Sequence, residues 1–206
     1  IMFSSFDENA GRQERPVDLT AQAPARAWPE PARLQAILDR IAAAKRPVLI
    51  GGHGVWWSGG EALLEEAGRS LGIPIFNIPY HQKLLGEECE AYMGLADAHQ
   101  YHPSADAFND SDLILMIGAR LDNQMNFGNA PLFPTTTTLC CINGSHEEID
   151  FNRAADVTLL SDPGAFLQAL IDAGKSGSIA PERSWYDLNR QRRDAWVTKM
   201  LSLIHI

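Results

Sequence analysis

Apolar residues follow two rhythms along this chain. Between Glu30 and Lys45, Leu34, Ile37, Leu38, Ile41 and Ala42 recur at helical spacing, which predicts a helix with one face against a sheet. Pro47-Val48-Leu49-Ile50 is short and wholly apolar and ends in Gly51-Gly52-His53-Gly54, as expected of a parallel strand buried on both faces. Ser58 to Leu71 reads as a helix with Leu63, Leu64, Ala67 and Leu71 on one side and Gly72 as its stop. Ile73 to Ile78 is a second strand, ended by Pro79.

The stretch Tyr80 to His102 shows neither rhythm and reads as loop, and a substitution such as Asp97→Ala is expected to cost little there. Pro103 to Asn109 predicts a short helix, and Asp112 to Ile117 is the plainest strand, closed by Gly118-Ala119-Arg120. Thr135 to Ile142 and Val157 to Leu160 are the fourth and fifth strands. Pro163 to Ala173 is a helix with proline in its first turn and Gly174 after its end. Ser184 to Leu203 is a further helix carrying Trp185, Trp196 and several arginines. Strands alternating with helices predict an α/β fold, a Rossmann-like parallel sheet with helices on both faces. Ligands of such sheets bind beyond the carboxyl ends of the strands. The segments to inspect are therefore Gly51 to Trp57, Pro79 to Leu85, Gly118 to Gly128, Asn143 to His146, and Ser161-Asp162.

Composition narrows the picture. A chain of 206 residues, 45% hydrophobic, can bury one ordinary core. A net charge of -9 with scattered basic residues argues against nucleic-acid binding. The three cysteines, Cys89, Cys140 and Cys141, form no CxxC pair and fit small apolar core residues of a reduced, cytoplasmic protein. No apolar run approaches the roughly 18 residues of a membrane span, and the start lacks the pattern of a signal peptide. Residues 1 to 30, with Pro16, Pro24 and Pro29, read as an extended linker, 31 to 174 as the domain, and 175 to 206 as a helical connector. Both ends fit a piece of a longer protein.

Three groups of residues invite a chemical reading. Gly51-Gly52-His53-Gly54-Val55 either brings backbone close to a phosphate or is a tight strand-to-helix turn. It is not the dinucleotide fingerprint, whose third glycine would fall at Trp57, and no acidic residue follows the second strand near Asn77. In Gly118-Ala119-Arg120-Leu121-Asp122-Asn123, Arg120 is placed either to clamp a phosphate bidentately or to order the loop by pairing with an aspartate. The histidines His53, His81, His99 and His102 lack the Cys or acidic partners of a metal set, and His81, after the second strand, is either a substrate-facing group or a plain surface histidine. No GxSxG elbow and no P-loop lysine occur.

Taken in order, Pro47 to Val55, Leu71-Gly72-Ile73-Pro74-Ile75, Tyr92-Met93-Gly94-Leu95, Ser111 to Asp122, Ile142 to Ile149 and Ser161-Asp162 resemble the central domain of thiamine-diphosphate-dependent enzymes of the acetolactate synthase type. The likeness covers roughly residues 33 to 173. It implies a parent enzyme, homodimeric or homotetrameric, that decarboxylates a 2-keto acid or makes or cleaves a carbon–carbon bond beside a carbonyl. In that family two other domains hold thiamine diphosphate and Mg²⁺, one through an activating glutamate and the other through a Gly-Asp-Gly motif that this chain lacks. The resemblance therefore implies that the chain alone is inactive and needs those domains as partners. Central domains of the family often hold an adenine nucleotide, FAD in acetolactate synthase or ADP in oxalyl-CoA decarboxylase. Carried over by position, Gly52, Gly54, Gly94, Gly118, Arg120, Asp122 and Asn143 would line such a site. Asn143-Gly144-Ser145 stands where the family has an acidic pair, and asparagine is a weaker partner for ribose hydroxyls. Two rivals are a stand-alone nucleotide-binding module and a sirtuin-like NAD-dependent deacylase. The second would need a glycine-alanine-glycine turn and a zinc-binding cysteine set, which are absent.

Overall fold

The computed structural model describes residues 25–79, 84–177, 179 and 183–204. His81 and the linker residues 1–24 lie outside them. Helix α1 (Pro31–Ala43) starts at Glu30, whose carboxylate accepts the Ala32 and Arg33 amides at 3.0 and 2.8 Å, and it buries Ile37 and Ile41. Strand β1 (Pro47–Gly51) is buried throughout, as its unbroken apolar run requires. There follow α2 (His53–Trp57), α3 (Glu61–Leu71), β2 (Ile75–Asn77), β3 (Tyr92–Leu95), α4 (His102–Asp110), β4 (Leu113–Ile117), β5 (Thr138–Asn143), β6 (Val157–Leu160), α5 (Pro163–Lys175) and α6 (Arg183–Ile204).

The strands make one parallel sheet in the order β3-β2-β1-β4-β5-β6. β1 and β4 lie side by side at its centre, Pro47 opposite Leu113 and Gly51 opposite Ile117. From β1 the chain winds toward one edge and from β4 toward the other. Right-handed crossovers in opposite directions put their helices on opposite faces. α1, α3 and α5 pack together on one face, where a methyl group on Gly174 of α5 would lie 2.4 Å from Leu71 of α3. α4 and α6 cover the other. There Phe108 of α4 meets Phe76 and Phe133 with ring centroids 5.2 and 5.3 Å apart. α6 is fastened by Trp185, whose Nε1 donates to the Pro47 carbonyl at 2.9 Å, and by Arg193, which donates to the Tyr92 carbonyl at 2.8 Å.

Four departures from the sequence expectations have local causes. The helix expected from Ser58 starts only at Glu61, because Gly59 takes φ +62° in a turn that separates α3 from a short helix, α2, which the sequence reading did not expect. The stretch expected to be irregular contains strand β3, which carries Gly94 at φ +117° and a register shift against β2. In the same stretch Asp97 is not dispensable. It is buried and its Oδ1 accepts the His99 and Gln100 amides at 3.1 Å each. β5 starts at Thr138 rather than Thr135, because Thr137 donates back to the Pro134 carbonyl in a turn.

Candidate functional site

The sheet order makes the gap between the carboxyl ends of β1 and β4 the topological switch point, where open α/β sheets bind ligands. A crevice of about 380 Å³ lies there. The turn after β1 contributes His53, Gly54 and Trp57, and that after β2 contributes Ile78 and Pro79. Gly118, Ala119, Arg120 and Asp122 come from the turn after β4, and Asn143, Ser145 and Glu148 from the segment after β5. Of the residues expected from the sequence, Gly54, Gly118, Arg120, Asp122 and Asn143 are thus brought together.

Gly52 and Gly94 are not among the lining residues. Gly52 faces the β4 turn: a Cβ there would stand 2.3 Å from the Gly118 carbonyl oxygen. The amides of Gly52 and Gly54 donate to the carbonyls of Ile117 and Gly118, both at 2.9 Å. Gly118 has φ +58°, and a Cβ on it would come within 2.6 Å of the Gly54 Cα. These glycines let the turns of two neighbouring strands close on each other, so the tight-turn reading describes Gly52 and Gly54 amides better than a phosphate cradle does. Gly94 sits on the edge strand, where a methyl group would strike the Tyr101 ring at 2.4 Å. Its lack of a side chain makes room for that ring, whose hydroxyl donates to the Met93 carbonyl at 2.7 Å.

Arg120, Asp122, Asn143 and Glu148 of the crevice already have partners. Arg120 is half exposed, and its Nε lies 3.4 Å from Glu148. Its guanidinium sits 5.2 Å from the centroid of the Phe151 ring. Of the two readings of Arg120, a phosphate clamp or a pairing with an aspartate, the second has a counterpart here in a pairing with Glu148, which follows β5. Asp122 caps the 3-10 segment Asn123–Gly128, its Oδ1 accepting the Gln124 amide at 3.1 Å. The Asn143 Oδ1 accepts the Ser145 amide at 3.2 Å, folding the β5 turn on itself. Glu148 and Trp57 were not singled out from the sequence as site residues. Trp57 falls inside a segment marked for inspection, whereas Glu148 lies two residues beyond one.

Among the described residues no group of three His, Cys, Asp or Glu side chains is placed to hold a metal ion. His99 Nε2 is 3.0 Å from the Asn123 carbonyl, and His102 stacks on Trp196 of α6. The cysteines are buried and unbridged. Burial pushes the Cys140 thiol up to about 12 and the Cys141 thiol up to about 11, so neither is a ready nucleophile. No described helix is long and apolar enough to cross a membrane.

Residues 34–170 match the family model described as thiamine pyrophosphate enzyme, central domain. A protein of Methanococcus aeolicus named probable acetolactate synthase large subunit is 26% identical over 141 residues, covering 68% of this chain and 23% of that protein. The 2-hydroxyacyl-CoA lyase 1 of Dictyostelium discoideum is 30% identical over 115 residues, 56% of this chain and 18% of that one. The chain thus spans about a quarter or less of the length of these relatives. Among solved structures, benzoylformate decarboxylase from Polynucleobacter necessarius superposes with a TM-score of 0.61 at 20% identity, over 78% of this chain and 29% of that one. The matched segment runs from α1 through most of α5 and takes in the whole sheet, so the chain belongs to the family of thiamine pyrophosphate enzyme central domains.

Proposed function

We propose that this domain is the scaffold of an acetolactate synthase-like enzyme that decarboxylates a 2-keto acid or joins or cleaves a carbon–carbon bond beside a carbonyl. Thiamine diphosphate, held outside this domain, supplies the carbanion-stabilising chemistry when bound. The role proposed for the crevice is to hold an adenine nucleotide, FAD or ADP, with low affinity. The observation that carries this is the meeting of four strand-end turns at the switch point, with Arg120 at the rim.

Three features hold the affinity down. Glu148 competes with a ligand phosphate for Arg120. Asn143 offers a ribose only an oxygen already engaged by the Ser145 amide. The Gly52 and Gly54 amides are committed to β4 carbonyls. Calorimetric titration with ADP and with FAD should give a Kd weaker than about 10 μM. Arg120→Ala should weaken it further, roughly tenfold for a charge-assisted contact at an exposed site. Glu148→Gln should tighten it by freeing the guanidinium. Tight binding indifferent to both substitutions would refute the placement of the site.

A further inference from the structure

A second cleft of about 360 Å³ opens beside the crevice, bordered by residues 25–27, Trp57, Ser58, Gly144 and Asp162. One residue, Trp57 at the end of α2, lines both hollows. It is 78% exposed. Trp56 fixes it edge-to-face, with ring centroids 4.6 Å apart and planes at 71°. Such a contact engages one indole by its face and the other by its edge, and leaves a broad face of Trp57 open.

The rest of the second cleft has little charge to offer. Arg26 lies 3.6 Å from Asp162 and donates to the Ser58 carbonyl at 2.9 Å. The β5 turn joins the two hollows, placing Asn143 and Ser145 in the first and Gly144 in the second. A Cβ on Gly144 would meet only Pro163 and the Ser161 carbonyl, at 3.8 Å, so the passage over it is low and open.

We propose that Trp57 is the stacking platform for a planar heteroaromatic ring on the ligand, the ring lying in the second cleft while the anionic part stays beside Arg120. This rests on the nucleotide reading of the crevice. A flat ring stacks on an indole with little demand on its hydrogen-bonding pattern, and the open face of Trp57 is apolar surface that gains by being covered. Trp57 borders both hollows, and the charges of the second, Arg26 and Asp162, are paired with each other, which suits a ligand whose charged end lies beside Arg120 and whose planar end lies on Trp57.

The test is calorimetry on the full chain with two probes, ADP and inorganic pyrophosphate, for the wild type, Trp57→Ala and Trp57→Phe. Because Trp57 is so exposed, neither variant should shift the melting temperature. Trp57→Ala should weaken ADP roughly 5- to 100-fold and leave pyrophosphate within about twofold, and Trp57→Phe should recover most of the ADP loss. Unchanged ADP binding in Trp57→Ala would overturn the platform and leave the nucleotide site standing. Equal losses for both probes would also overturn it, since Trp57 would then only be holding its loop. A wild type that binds neither probe would sink the nucleotide reading itself, and the platform with it.

Discussion

A methyl group on Gly118 would sit 2.6 Å from the Gly54 Cα, and one on Gly94 would sit 2.4 Å from the Tyr101 ring. Both glycines are answers to crowding, and a sequence shows the glycine without showing what crowds it. The same limit applies to Arg120. Its place after a buried strand was readable, but its partner Glu148 comes from another turn that only the sheet brings near. The cysteines were legible, because an odd count without CxxC spacing leaves burial as the simplest role. Their burial makes a prediction about alkaline pH. The folded chain keeps Cys140 and Cys141 as neutral thiols to about 12 and 11, whereas the unfolded chain ionises them from 9.0 upward. Tyr92, raised from 10.0 to about 12 by burial, adds to the effect. Raised folded values mean that stability is intact below pH 9 and falls as pH rises through 11–12, by up to about 1.4 kcal/mol per pH unit for each group. The melting temperature should be flat from pH 7 to 8.5 and then decline, with a shallower decline in Cys140→Ala. Equal alkaline slopes in the two proteins would contradict the buried-thiol account.

At the scale of elements, continuous apolar runs were the reliable signal. β1 and β4 are the two strands with unbroken runs, and both are buried along their whole length. Ile114 is fully buried between β1 and β5, so Ile114→Ala should cost about 2–5 kcal/mol in chemical denaturation, from lost transfer energy and the cavity left behind. Asp97→Ala, expected from the sequence to be mild, should instead cost about 1–2 kcal/mol, because two amides lose their shared acceptor. Gln100→Ala, an exposed side chain three residues on, serves as the control and should cost under about 0.5 kcal/mol. If Ile114→Ala and Gln100→Ala were equally stable, the central position of β4 would be wrong. β3 escaped the sequence reading because a strand of four residues with a glycine at φ +117° has neither the length nor the alternation that marks a strand. The break between α2 and α3 was missed for the opposite reason. The apolar periodicity of α3 is strong enough to hide a turn at Gly59-Gly60 just before it.

For the molecule as a whole, alternation of strand and helix made the parallel sheet legible, and the ordered set of motifs made the family legible. The strand order was not, because it depends on which edge each crossover returns to. Yet that order decides where the crevice lies, since it places the turns after β1 and β4 side by side at the switch point. The proposed role of this domain is a scaffold with a nucleotide site, the reacting cofactor being held by other domains of the parent enzyme. The most direct test is calorimetry of this chain with thiamine diphosphate and Mg²⁺ under the conditions used for ADP. No heat of binding is expected for thiamine diphosphate in the presence or absence of Mg²⁺, whereas a saturable isotherm with a micromolar Kd would contradict the placement of that cofactor outside this domain.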